Sequence, residues 1–208
     1  MVFDFITILY LILSFLIGSV PFGLVLTHLF SDINLRQIGS GNIGATNVLR
    51  TGRKGLAVAT LLADALKGGL AVLIIGVFAN ADLAAICGLA AVLGHCFPPW
   101  LKFRGGKGVA TGIATLLAID WMVGLICIFT WLVMAFLFRY SSLAALTGFA
   151  VSAVLVWTNS MTGFTAMIQL SGIQLWVITA LSALIILRHH QNIARLRSGT
   201  ESRITFRK

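Results

Sequence analysis

Seven apolar runs, near residues 3–29, 56–79, 83–97, 109–119, 121–138, 143–158 and 173–187, take up most of this chain and leave little from which a water-facing surface can be made. A spanning helix needs ~20 apolar residues, so the 208 residues hold several spans and no separate soluble domain. Charged residues make up 10% of the chain, against about 25% in an ordinary soluble domain, and the mean hydropathy is +1.00. Lipid is the expected solvent. The chain reads as an all-α integral membrane protein with seven transmembrane helices, a single membrane domain over 1–208. The runs at 83–97 and 109–119 are short for a full crossing, and are expected to be partly re-entrant or to extend into their flanking residues.

The positive charges give the orientation. The net charge is +9, but in a chain with such apolar runs basic charge reports topology rather than nucleic-acid binding. Lys and Arg fall in the stretch 30–55 (Arg36, Arg50, Arg53, Lys54), in 98–108 (Lys102, Arg104, Lys107), at Arg139, and in the tail (Arg188, Arg195, Arg197, Arg203, Arg207, Lys208). Only Lys67 lies inside a run, and the opposite ends carry Asp4, Asp82 and Asp120. The positive-inside rule then puts the N-terminus outside and the C-terminus in the cytoplasm. An odd number of crossings is what that arrangement requires. The first run lacks a basic n-region and a cleavage site, so it is expected to be retained as a span. Trp100, Trp121, Trp157 and Trp176 lie near run ends as interfacial anchors would, and Trp131 is expected to pack within a span. Cys87, Cys96 and Cys127 have no C-x-x-C spacing and read as free buried thiols. No internal repeat of the inverted-transporter kind is visible.

Chemistry-bearing residues collect on the side where the cations lie. Gly39-Ser40-Gly41-Asn42-Ile43-Gly44-Ala45-Thr46-Asn47 is followed by Arg50, Arg53 and Lys54. Glycines let backbone N–H groups turn toward a ligand, small polar side chains add hydrogen bonds, and anions suit such a nest. The second loop runs from His95 through Pro98-Pro99 to Arg104-Gly105-Gly106-Lys107-Gly108. Its prolines stop one helix and its cations precede the next. Neither loop has the spacing of a P-loop. Either alone could be a basic turn; two on one membrane face favour a site for phosphorylated ligands.

Asp64 and Lys67 are three residues apart, on one helical face inside a run. Ionisable groups at that depth cost ~2.5–3.5 kcal/mol each, so they should face inward and pair, in a structural or a functional role. His189 and Asn192 are expected on one helical face with Arg195 a turn further on. Ser141 and Ser142 follow Arg139-Tyr140, and His28 reads as an interfacial residue. Pro21, in Gly18-Ser19-Val20-Pro21-Phe22-Gly23, should kink the first span and free backbone carbonyls. There is no G-x-S-x-G elbow, no metal-ligand cluster and no pair of neighbouring carboxylates, and the H-x-x-x-x-D pattern fails at His28, where Ile33 follows. A reaction here would need an activated substrate, with positioning and charge stabilisation supplying the rest.

At these residues the chain resembles the bacterial acyl-phosphate-dependent glycerol-3-phosphate acyltransferases, the PlsY family. The resemblance runs through Gly18–Gly23, Gly39–Asn47, Asp64–Gly68, Gly94–Pro98, Phe103–Thr111, His189–Leu196 and Gly199-Thr200-Glu201. It implies an inner-membrane, multi-pass enzyme with its site toward the cytoplasm, moving a fatty acyl group from acyl phosphate to the 1-hydroxyl of glycerol 3-phosphate with no cofactor and no metal. The partners implied are the two substrates, the bilayer and the enzyme that makes acyl phosphate. By matching motif positions, Ser40, Arg50, Lys107, His189 and Asn192 fall to glycerol 3-phosphate or the transferring centre. Asn42, Thr46 and Asn47 would hold the backbone or the donor phosphate, and Ser141 and Ser142 with Lys107 would meet the phosphate of acyl phosphate. Arg104, Gly105 and Gly106 join the substrate-binding set, and Asp64, Lys67, His95 and Glu201 would support it. Two other readings stand beside this one: a transporter for a phosphorylated metabolite, disfavoured by the nearly charge-free opposite ends, and a non-catalytic assembly protein.

Overall fold

The structure, a computed structural model, describes residues 4–204, so Phe3 of the first run and Arg207 and Lys208 of the tail lie outside the described residues. Ten α-helices and two short 3-10 turns make up the regular structure, with no strand among the described residues. Among the described residues each of the seven apolar runs falls mainly on helix, the first on two helices. Two compact units separate along the chain, Met1–Ile119 and Asp120–Lys208.

In the first unit, Asp4 caps α1 (Phe5–Gly18), its carboxylate accepting from the Thr7 amide at 2.9 Å. Pro21 has no N–H to continue the ladder, and the chain restarts as α2 (Phe22–Phe30) at 40° to α1. The kink expected at Pro21 is present. Two carbonyls at the break have found side-chain donors: Trp100 Nε1 donates to Ser19 O at 2.7 Å and Lys67 Nζ to Val20 O at 2.8 Å. Trp100, expected as an interfacial anchor, therefore also caps the broken span from 81 residues away. A short α3 (Ala45–Leu49) leads into α4 (Lys54–Phe78), whose 25 residues rise about 37 Å, enough for a ~30 Å hydrocarbon core. Asn80 caps α5 (Ala81–Cys96), which ends before Pro98. The 11 residues of α6 (Val109–Ile119) rise only about 16 Å, half a crossing.

These helices pack through small residues, as helices in lipid do when no hydrophobic force drives them together. A Cβ on Gly18 or Gly94 would strike the backbone of the facing helix, at Ala91 and at Phe15 respectively, so α1 and α5 cross at near backbone contact. Gly68 meets Thr111 of α6 in the same way. Large apolar side chains point outward instead: Val77 is 78% exposed and Phe136 of the second unit 76%. That inversion fits a lipid solvent. By length and composition four helices can cross a membrane, or up to six if each bent pair is one span.

The second unit begins with α7 (Trp121–Phe138), capped by Asp120 and ended by Arg139 in left-handed backbone. It continues with α8 (Ser141–Thr162), α9 (Gly172–Arg188) and α10 (His190–Arg197). A capping box of Ser171 and Gln174 starts α9. Trp157 donates its indole N–H to Thr179 Oγ1 at 2.9 Å and meets Trp176 edge-to-face at 5.1 Å, which packs α8 on α9. Cys87, Cys96 and Cys127 are free and buried, as expected.

Candidate functional site

The first glycine-rich loop is built around one amide. Asn47, buried in α3, donates from Nδ2 to the carbonyls of Leu35, Ile38 and Asn42 at 3.1, 2.9 and 2.8 Å. Its Oδ1 accepts from Ser40 N at 3.2 Å and Ser40 Oγ at 3.4 Å. Asn47 thus holds the loop in shape with bonds it already has. Gly39 has φ +54, and a Cβ there would lie 2.7 Å from Asn47 Oδ1 and 2.9 Å from Arg50 Cδ. Only glycine both adopts that backbone at no steric cost and leaves room for Arg50 to fold over the turn. Ser40, Thr46 and Arg50 remain exposed at the surface this creates, with Asn42 half-buried beside them.

The second loop returns along the end of α5. Gly105 N donates to Cys96 O at 3.2 Å and Gly106 N to His95 O at 3.0 Å, and both glycines are buried. A Cβ on Gly106 would overlap the His95 ring at Nε2. Across that ring, Nδ1 stands 3.6 Å from Asp64 Oδ1, an ion pair when the histidine is protonated, and Asp64 is 2.9 Å from Lys67 Nζ. Lys67, Asp64 and His95 are all buried. They form a continuous brace from the Val20 carbonyl at the broken span to the backbone just before half-buried Lys107.

The two loops are joined. Arg36 Nη2 donates to the Arg104 carbonyl at 2.5 Å, across 68 residues. Burial and the neighbouring Arg104 charge hold the Arg36 guanidinium below its usual range. The sequence reading counted Arg36 only as a topology-setting charge, and nothing in periodicity or motif spacing marks this bond.

The second unit carries a cluster of its own. Glu201 Oε1 accepts from Ser142 Oγ at 2.7 Å and Asn192 Nδ2 at 2.6 Å, and Oε2 accepts from Arg195 Nε at 2.7 Å. Burial pushes the Glu201 carboxyl up, but the bonds from Ser142, Arg195 and Asn192 outweigh it and hold the group below its ordinary value. The tail is pinned further where Ile204 N and Arg139 O, and Arg139 Nε and Ile204 O, bond at 2.6 and 3.2 Å. His189 stands at the junction of α9 and α10 and caps α10, which carries Asn192 and Arg195. The helix bends by 56° at His189, which ends α9 and precedes α10. Nδ1 of buried His189 lies 2.7 Å from Ile185 O. A carbonyl can only accept, so Nδ1 carries a proton in this contact. Asn192 Oδ1 is buried with no hydrogen-bond partner. Ser141 is half-buried at the start of α8. Among the described residues no group of three or more His, Cys, Asp or Glu side chains is placed to hold a metal ion.

The first unit therefore holds Ser40, Asn42, Thr46, Asn47, Arg50, Asp64, Lys67, His95, Arg104, Gly105, Gly106 and Lys107, and the second holds Ser141, Ser142, His189, Asn192 and Glu201. Residues 8–199 match the family model described as glycerol-3-phosphate acyltransferase. A glycerol-3-phosphate acyltransferase of Paramagnetospirillum magneticum is 54% identical over 94% of this chain and 92% of its own length. One from Bradyrhizobium sp. (strain BTAi1) is 50% identical over 95% of each. Among solved structures, crystal structures of PlsY (YgiH), an integral membrane glycerol 3-phosphate acyltransferase, superpose closely. Its glycerol 3-phosphate form gives a TM-score of 0.85 at 35% identity over 96% of both chains. Its lysophosphatidic acid form gives 0.83 at 34% identity over 96% of this chain and 95% of that one.

Proposed function

The chain belongs to the glycerol-3-phosphate acyltransferase family, and from that premise we propose that it moves a fatty acyl group from acyl phosphate to the 1-hydroxyl of glycerol 3-phosphate. The products are lysophosphatidic acid and phosphate, the first step of bacterial phospholipid synthesis. The hydroxyl oxygen attacks the carbonyl carbon of the mixed anhydride. The bond from that carbon to the phosphate oxygen breaks, and phosphate leaves with the electron pair. The hydroxyl proton passes to phosphate or solvent. Because the leaving group is already good, the protein's task is to neutralise phosphate charge and align the reactants.

The observation that carries this reading is the first unit's pair of glycine-rich cationic loops, held together by the Arg36 bond to the Arg104 carbonyl. Ser40 and Arg50 are assigned to glycerol 3-phosphate, and Lys107 to the transferring centre and the donor phosphate. Asn42, Thr46, Arg104, Gly105 and Gly106 complete the anion-binding surface, with Asn47 keeping its shape. In the second unit, His189 and Asn192 are assigned to glycerol 3-phosphate or the transferring centre, where the buried Asn192 Oδ1 is an acceptor suited to a substrate hydroxyl, and Ser141 and Ser142 are assigned to the acyl-phosphate phosphate. Glu201 holds Ser142 and Asn192 in place.

The same reading includes seven crossings of the inner membrane, with the N-terminus outside and the loops toward the cytoplasm. Its support is the set of seven helical apolar runs and the basic residues that alternate with them. The decisive experiment incubates purified protein with labelled glycerol 3-phosphate and either acyl phosphate or acyl-CoA. Label entering lysophosphatidic acid with acyl phosphate alone is the expected result. Acylation only from acyl-CoA, or none from either donor, overturns the proposal.

A further inference from the structure

The turn from Pro98 to Arg104 has features at its tip, Lys102 and Phe103, that substrate binding does not use. Pro98 O accepts from the amides of Leu101 and Phe103 at 3.1 and 3.0 Å, and Pro99 O from Lys102 at 3.0 Å, closing a tight coil after α5. To complete it, Lys102 and Phe103 both adopt left-handed backbone, at φ 51 and 61. Non-glycine residues rarely do so, and two in succession are strained. The result is display rather than packing: Lys102 is exposed, and Phe103 and Trp100 are 60% and 53% exposed.

The turn joins α5 to α6, two apolar helices, so it lies at a bilayer face. Charge around that turn is mainly basic, with Lys102, Arg104 and Arg36 against Asp32 in the stretch before Arg36. Arg36 rests its guanidinium on the Arg104 carbonyl at the end of the turn, and among the described residues neither Arg36 nor Lys102 is ion-paired to a carboxylate. Exposed aromatics beside uncompensated cations are the combination that suits the headgroup layer: rings enter the acyl boundary while ammonium and guanidinium groups meet phosphate. We propose that the Pro98–Arg104 turn, with Lys102 and Phe103 at its tip and Arg36 against its end, is a docking site for the headgroup of an anionic phospholipid. The residues at its tip, Lys102 and Phe103, are not among those assigned to acyl transfer, and only the end of the turn, at Arg104 and Arg36, borders that set.

The backbone offers a clean test. Glycine adopts positive φ without cost, so the double variant Lys102→Gly/Phe103→Gly removes the cation and the ring while relieving the turn. Its thermal midpoint should hold or rise, which excludes misfolding as the cause of any binding loss. Full-length protein in detergent is offered equimolar phosphatidylglycerol and phosphatidylcholine, and retained lipid is counted by native mass spectrometry. Wild type should retain phosphatidylglycerol preferentially, and the double variant should lose roughly fivefold or more of that retention, the worth of one cation near an anionic surface. Arg36→Gln should lose a similar factor. Equal retention of both lipids by wild type overturns the proposal, as does undiminished phosphatidylglycerol on the double variant. A third arm adds inorganic phosphate against chloride of matched ionic strength; displacement of the lipid by phosphate alone would show a free-phosphate site and overturn it too.

Discussion

Lys67→Met tests the brace where its energy is concentrated. Lys67 is 3% exposed, 2.9 Å from Asp64 and 2.8 Å from the Val20 carbonyl, with Phe22 beneath its ammonium at 5.6 Å. Removing the cation leaves the Asp64 carboxylate, 2% exposed, to its contact with His95 at 3.6 Å. Breaking a buried pair by deleting one partner costs about 3–5 kcal/mol. The double variant Asp64→Asn/Lys67→Met removes both charges and leaves mainly the Val20 carbonyl without its donor, costing about 1–3 kcal/mol. The double should therefore be more stable than Lys67→Met alone, although it carries one more substitution. Reversible unfolding in mixed micelles of rising SDS content, followed by tryptophan fluorescence, measures all four corners of the cycle. The reasoning fails if Lys67→Met lies within about 1 kcal/mol of wild type, a surface-pair value, or if the double loses the sum of the two singles.

Lys107→Ala removes the half-buried cation of the second loop; kcat/KM in the acyl-phosphate assay should fall about 10- to 150-fold, matching one lost charged hydrogen bond, and unchanged kinetics would reject its role. Asn47→Ala deletes the donor to three loop carbonyls and should raise KM for glycerol 3-phosphate, whereas an unaltered KM would mean that the loop keeps its shape without the amide. Glu201 has a folded pKa below its ordinary 4.5, so its contribution to stability is present above that value and is lost as pH falls through the folded pKa. Unfolding measured between about pH 3 and 7 should show wild type losing stability on the acid side of pH 4.5 and Glu201→Gln losing less there; parallel curves would remove Glu201 from that role.

Much of the helical plan was legible because lipid imposes it. Charge scarcity and run length marked where helices lie, Pro21 marked the break, and the short runs at 83–97 and 109–119 became helices of 16 and 11 residues. The pair of Asp64 and Lys67 was legible because residues three apart share a face. What pattern reading missed has no period. Trp100 reaches Ser19 and Lys67 reaches Val20 across 81 and 47 residues. The 56° bend at His189 falls in a continuous helix-favouring stretch with no proline or glycine to announce it. Glu201 bonds Ser142 from 59 residues away, although motif matching had already placed it among the supporting residues.

Those long-range contacts share a chemistry. Lys67, Trp100, Arg36 and Asn47 each direct a side-chain donor at a backbone carbonyl, at Val20, Ser19, Arg104, and Leu35 with Ile38 and Asn42. In a membrane protein this has two effects at once. A carbonyl freed at the helix break, as at Ser19 and Val20, needs a donor where lipid excludes water, and there as in the loops the donor that bonds a carbonyl also fixes the position of that backbone. The acceptor makes no demand on its own side chain, so substitution at Val20 or Ile38 can keep the bond, while loss of the donor cannot be compensated from the acceptor's side. The shape of the glycine-rich loops thus rests on the donors Asn47 and Arg36 as much as on the glycines, since glycine permits the loop's shape but supplies nothing to hold it.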